Sequence, residues 1–304
     1  MDAIDTVQPL SRRLIWWRRL RAAVAVLLLW AALHFVAGAR VLSGGLDRPT
    51  VVLVGDGGIA AAVTVLLLAV AGALLATVLC GRRDGTQGLL IVALALALWA
   101  FWGGTADDWL IARNPSAGPP TGAAYWPLLA ETLYWTLVVL AVVALNAVPF
   151  PWFRGQSTEQ DWPRALGLDL SPPAARRGAV ALLITVVAAA LLIGVLMGPR
   201  LGHTYHGQVY FAVAVAFALG TLLGRRVAGV WRPAWYLPGP MIVAVIGVVW
   251  AGLRPGLGPG YEHINVIPAC GLARALPVEM VAVGTAAILL TLRTARRLSS
   301  GAGG

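Results

Sequence analysis

Charge is scarce in this chain, and lysine is missing altogether. Only 12% of its 304 residues are charged, and all 23 basic residues are Arg. With 59% hydrophobic residues and a mean hydropathy of +0.79, there is too much apolar surface for one soluble core of this length. Lipid is therefore expected to be part of the solvent. The only two cysteines, Cys80 and Cys270, are expected on opposite sides of a membrane, which excludes an intramolecular disulfide; zinc and redox cysteine spacings are absent.

The hydrophobic runs contain essentially no serine, which excludes serine hydrolysis within them. A single histidine inside a run cannot supply a bis-His haem. There is no His-Glu-x-x-His arrangement and no phosphate-binding glycine loop. No cofactor is expected.

What the chain does have is continuous apolar stretches long enough to cross a hydrocarbon core of ~30 Å. They do not alternate, so a barrel is excluded. The expected fold is all-α, a polytopic bundle of about eight spans at 22–39, 57–80, 86–103, 125–148, 178–198, 207–223, 234–252 and 275–293. The apolar connection Val51-Val52-Leu53-Val54 reads as a re-entrant or interfacial piece.

Arginine sets the orientation. With the N-terminus inside, 17 Arg fall on the cytoplasmic side and six on the other, the bias of the positive-inside rule. The net charge of +10 then resolves into +11 inside (17 Arg less six acids) and −1 outside (six Arg less seven acids). The basic excess is topology, not a nucleic-acid footprint. Both termini are expected in the cytoplasm of a cell (inner) membrane. Residues 11–21 and the following apolar run imitate a secretion signal, with Val36-Ala37-Gly38-Ala39 as a small-residue site, but an uncleaved first span preserves the even count.

The halves repeat features in the same order. Gly81-Arg82-Arg83 after the second span matches Gly224-Arg225-Arg226 after the sixth, Trp99 matches Trp250, and Pro127 to Glu131 matches Pro277-Val278-Glu279. This divides the chain into a basic segment 1–21, a four-span repeat 22–148, a Pro-rich linker 149–177, a second repeat 178–293 and a tail 294–304, the parallel-repeat arrangement.

An ionisable group inside a span costs ~2.5–3.5 kcal/mol on insertion scales and is a functional candidate for that reason. Glu131, Glu279 and His34 qualify, and Tyr134 follows Glu131 by three residues; together they are expected to line an outer polar cavity. Asp107, Asp108 and Glu262 would form its mouth. The plainer reading of Glu279 is a first-turn acid beside Pro277, complementing the helix dipole. His203, His206 and His263 are candidates for a metal site. Gly194-x-x-x-Gly198 and Gly220-x-x-x-Gly224 permit close helix approach.

These features fit a small-solute or cation transporter. The alternative is a non-catalytic structural or assembly subunit of a membrane complex, and a third reading is a membrane enzyme using the outer histidines. The expected partners are the lipid bilayer, and a second copy or another membrane component; nucleic acid is not expected.

Overall fold

The structure is a computed structural model that describes residues 12–41, 50–80, 86–113, 122–147, 170–198, 204–255, 268 and 270–301. It is all-helical, with 85% helix. The helices are α1 (Arg12–Ala32), α2 (Gly38–Val41), α3 (Gly58–Cys80), α4 (Gln87–Ala100), α5 (Ala106–Arg113), α6 (Trp126–Ala147), α7 (Pro172–Leu196), α8 (His206–Ala228), α9 (Pro238–Leu253) and α10 (Pro277–Gly301). A π turn over Leu33–Ala37 joins α1 to α2 without a break.

Seven of the described helices are long and apolar enough to cross a membrane. The chain is thus a multi-pass membrane protein by length and composition. The run expected at 86–103 forms the 14-residue helix α4, about 21 Å at helical rise. It ends in a tight turn in which Trp102 and Gly103 donate to the carbonyls of Trp99 and Ala100. Helices α7 and α10 extend past the hydrophobic runs into arginine-bearing sequence, because a helix ends where its caps are and not where hydropathy falls. In α7, Pro172 and Pro173 occupy the first turn after Ser171, where a missing N–H costs nothing.

α10 is the centre of the bundle, packing against α4, α6, α8 and α9. Every residue from Ala273 to Leu289 is buried. Apolarity runs opposite to burial: the span of α7 has mean hydropathy 2.9 and is 28% buried, whereas that of α10 has 1.5 and is 78% buried. Lipid-facing positions must be apolar, while protein-facing ones can be small or polar where a partner exists.

The tightest pair is α7 with α8. A Cβ on Gly220 would lie 2.9 Å from the Thr185 carbonyl oxygen, and one on Gly224 would lie 2.7 Å from that of Ala181. The Thr185 hydroxyl lies 2.8 Å from the Ala181 carbonyl and 3.2 Å from that of Gly220. Gly194 has nothing within 4 Å of its Cβ position, so the other small-residue motif packs against no described atom there.

The two ends of the bundle differ in charge. All five described acidic residues, Asp56, Asp107, Asp108, Glu131 and Glu279, lie at the end that also carries the loops before α3, α6 and α10. We call this the loop end. The opposite end carries 13 of the described arginines.

Candidate functional site

At the loop end, buried polar side chains satisfy the backbone of non-helical segments. Glu131 is the fullest case. The segment before α3 turns into the bundle, with Thr50, Val51 and Val52 no more than 2% exposed. Its exposed amides at membrane depth would be prohibitively costly without acceptors. Glu131, itself fully buried, provides them. Val52 N–H donates to Oε1 at 2.9 Å, Leu53 and Val54 N–H donate to Oε2 at 2.8 and 3.3 Å, and Trp135 Nε1 donates to Oε1 at 2.8 Å. All four partners are donors, a set that fits an acceptor-only carboxylate. Tyr134, three residues on, donates its hydroxyl to the Ala62 carbonyl at 2.8 Å and so ties α6 to α3.

Glu279 has a different partner set. Its Oε2 accepts the Leu276 N–H at 2.8 Å, the reach of a third-position Glu back to its own N-cap. Its Oε1 lies 2.7 Å from His206 Nδ1, and His206 Nε2 lies 2.6 Å from the Gly103 carbonyl. A carbonyl only accepts, so Nε2 carries a hydrogen, and one further proton lies between Nδ1 and Oε1. His206, expected in a loop, is the first residue of α8. Both of its nitrogens already face oxygen.

Asp107 and Asp108 hold α5. Asp108 Oδ2 accepts from the Thr105 N–H and hydroxyl at 2.5 and 2.9 Å, the carboxylate half of a capping box. Asp107 bridges to the segment before α8, accepting the Thr204 N–H and hydroxyl, both at 2.8 Å. Its carboxyl is held above the usual range. Burial is the largest cause; the Thr204 hydrogen bonds and the Arg274 charge oppose it, and the Asp108 charge adds to it. Since the folded state binds this proton more tightly than the unfolded chain, the stability it adds is full below the ordinary carboxylate pKa and is lost as pH rises through the folded value. The Asp107→Asn variant is expected to lack that loss. Melting temperatures measured from about pH 4 upward should move against the wild type relative to the variant; a constant difference would rule the assignment out.

Other side chains extend the same pattern. Trp109 Nε1 donates to the Ala124 carbonyl at 2.9 Å, Arg113 Nη2 to that of Val54 at 2.9 Å, and the buried Arg274 to those of Pro268 and Gly198 at 3.0 and 3.1 Å. Sequence reasoning passed over Thr204, Gly103 and Arg274. Gly103 acts through its carbonyl and Thr204 in part through its N–H, backbone groups that have no residue-type signature.

The four residues expected to line one cavity are thus placed in three settings. Glu131 and Tyr134 serve the α3 side, Glu279 serves α8 and its own helix cap, and His34 sits in the π turn. There its ring stacks on Trp30 at 5.5 Å between centroids and meets Phe35 and Trp102 edge-on at 5.1 and 6.4 Å. A small cavity between α4, α6 and α10 is lined by Leu96, Trp135, Val139, Val281 and Thr285 among others, and its surface is apolar. Glu262, His203 and His263 lie outside the described residues. Among the described residues no three His, Cys, Asp or Glu side chains are grouped to hold a metal ion.

No protein family matches the chain, and no curated protein or solved structure is detectably similar to it.

Proposed function

We propose that this protein is a non-catalytic structural subunit of a cell-membrane complex, with a stitched loop end that serves as a rigid platform for another membrane component or a second copy. The observation that carries this reading is the Glu131 carboxylate, whose two oxygens are engaged by three consecutive backbone amides and an indole. A coordination shell so filled suits an anchor better than a substrate ligand.

An eight-span organisation with both termini in the cytoplasm belongs to the same proposal. It is supported by α4, which is short but packs among α1, α3, α6 and α10, and by the arginines gathered at one end. Two parallel four-helix units are supported by the packing pairs. The contacts of α1 with α3 and α4, and of α3 with α6, are matched by those of α7 with α8 and α9, and of α8 with α10. The α4–α10 pair is matched by α9–α6. The α3–α4 pair has no counterpart of similar extent between α8 and α9.

One observation favours a second reading, movement of a proton with a cation or small solute. The His206–Glu279 pair is 16% and 1% exposed in its side chains and shares one proton. Proteoliposomes carrying an internal pH indicator separate the two. On the structural reading, proton and cation flux equal those of protein-free liposomes, for the wild type and for Glu279→Gln alike. Flux present in the wild type and absent in Glu279→Gln would replace it with the transport reading.

A further inference from the structure

The end opposite the stitched loops is rich in arginine. It carries Arg12, Arg13, Arg18, Arg19, Arg21, Arg176, Arg177, Arg225, Arg226, Arg232, Arg293, Arg296 and Arg297, and no carboxylate among the described residues. Most of these are spread around the rim, but one turn gathers them. α8 stops at Ala228 because Gly229 takes the left-handed conformation, φ 67°, with its N–H on the Arg225 carbonyl at 2.8 Å. The chain reverses there and lays Trp231 against the helix it has just left. The Arg225 guanidinium carbon sits 3.4 Å from the Trp231 ring centroid. From α10, Arg296 Nη2 donates to the Trp231 carbonyl at 2.6 Å. The Tyr236 hydroxyl donates to the Val230 carbonyl at 2.7 Å, fixing the turn from its other side.

Two guanidinium groups from two helices are thereby positioned on a single residue, with the exposed Arg226 and Arg232 beside them. Stacking orients the fork of Arg225 without neutralising it. The depth of this cluster is fixed by its neighbours. Val227 and Leu298 are 62% and 71% exposed, so apolar side chains that need hydrocarbon adjoin arginines that need water or anions. That boundary is the headgroup layer.

We propose that the Trp231 turn is a binding site for the phosphate of an anionic phospholipid. A phosphodiester presents oxygens that match guanidinium forks two at a time, and an acyl chain attached to it would run along the exposed apolar residues of α8 and α10. A free phosphate would use the first feature and gain nothing from the second.

The test is native mass spectrometry of the detergent-solubilised protein titrated with phosphatidylglycerol and, separately, with phosphatidylcholine. Removing the two oriented charges in Arg225→Gln/Arg296→Gln is expected to weaken phosphatidylglycerol binding about 25-fold, on the order of fivefold per arginine. Phosphatidylcholine binding should not change. Arg18→Gln/Arg19→Gln removes equal charge from α1 and should change affinity less than about twofold at physiological salt, because separated charges are screened. Equal losses in the two double variants, or no loss in the first, would overturn the site. Displacement of phosphatidylglycerol by millimolar inorganic phosphate would overturn the lipid as its occupant. If the Gln pair does not fold, Arg225→Lys/Arg296→Lys keeps the charge and removes the forks. It is expected to bind roughly fivefold more weakly than wild type, and unchanged affinity would count against the site.

Discussion

Glu131→Gln is expected to melt about 10 °C below the wild type in detergent, a loss of roughly 3–5 kcal/mol. The amide replaces one acceptor oxygen with a donor and turns it toward N–H groups that are themselves donors. The Val52, Leu53 and Val54 amides and the Trp135 indole then compete for a single oxygen, and each buried donor left unpaired costs about 1–3 kcal/mol. The loss is less than the sum because the 50–57 segment can retreat toward water. Glu131→Asp keeps both oxygens but is shorter by one methylene, so it should fall between the two. Thermal unfolding followed by circular dichroism reads the order. A Gln variant as stable as the wild type would mean that the segment gains nothing from the carboxylate, and the structural reading would lose its support.

Gly220→Leu should be nearly as damaging, by about 3 kcal/mol. A Cβ at position 220 would already press on the Thr185 carbonyl oxygen at 2.9 Å, which is backbone and cannot rotate away. A leucine therefore has to part α7 from α8, and in a membrane that contact is the main attraction between them, since lipid tails solvate apolar side chains as well as another helix does. Gly194→Leu tests the specificity of this claim. It belongs to the same kind of motif, but its Cβ position is open, and it should change stability by no more than about 0.5 kcal/mol. Comparable melting of the two variants would show that bulk in a glycine-rich helix matters and the contact does not.

Hydropathy located the long helices because the bilayer imposes one length on all of them. The run expected at 57–80 is observed at Gly58–Cys80, and that at 125–148 at Trp126–Ala147. The helices run past those spans at α7, expected from 178 and observed from Pro172, and at α10, expected to 293 and observed to Gly301. Arginines continue a helix as readily as leucine does, so the apolar boundary marks where lipid ends and not where the helix does.

Among the polar residues, the cost of burial draws attention to Glu131 and Glu279 as candidate cavity groups, but it says nothing about the partners they meet. Glu131 is bound by amides 77 to 79 residues away. Every residue except proline offers such an amide, so no side-chain pattern announces it. The Gly-x-x-x-Gly motifs show the same limit from the other direction. One is in tight contact and the other, at Gly194, meets no described atom, although their spacing is identical.

The inverse relation between burial and apolarity among the spans has a consequence for biogenesis. A segment leaving the insertion machinery is judged on its own hydrophobicity before it has neighbours. α7, with mean hydropathy 2.9, passes that judgement alone. α10, at 1.5 and with Glu279 in its first turn, is the helix least able to do so, yet it is the one that packs against four of the others. It follows the others in the chain and so emerges when α4, α6, α8 and α9 are already there to receive it. The helix that organises the finished bundle is the one whose entry into the bilayer is assisted by the rest.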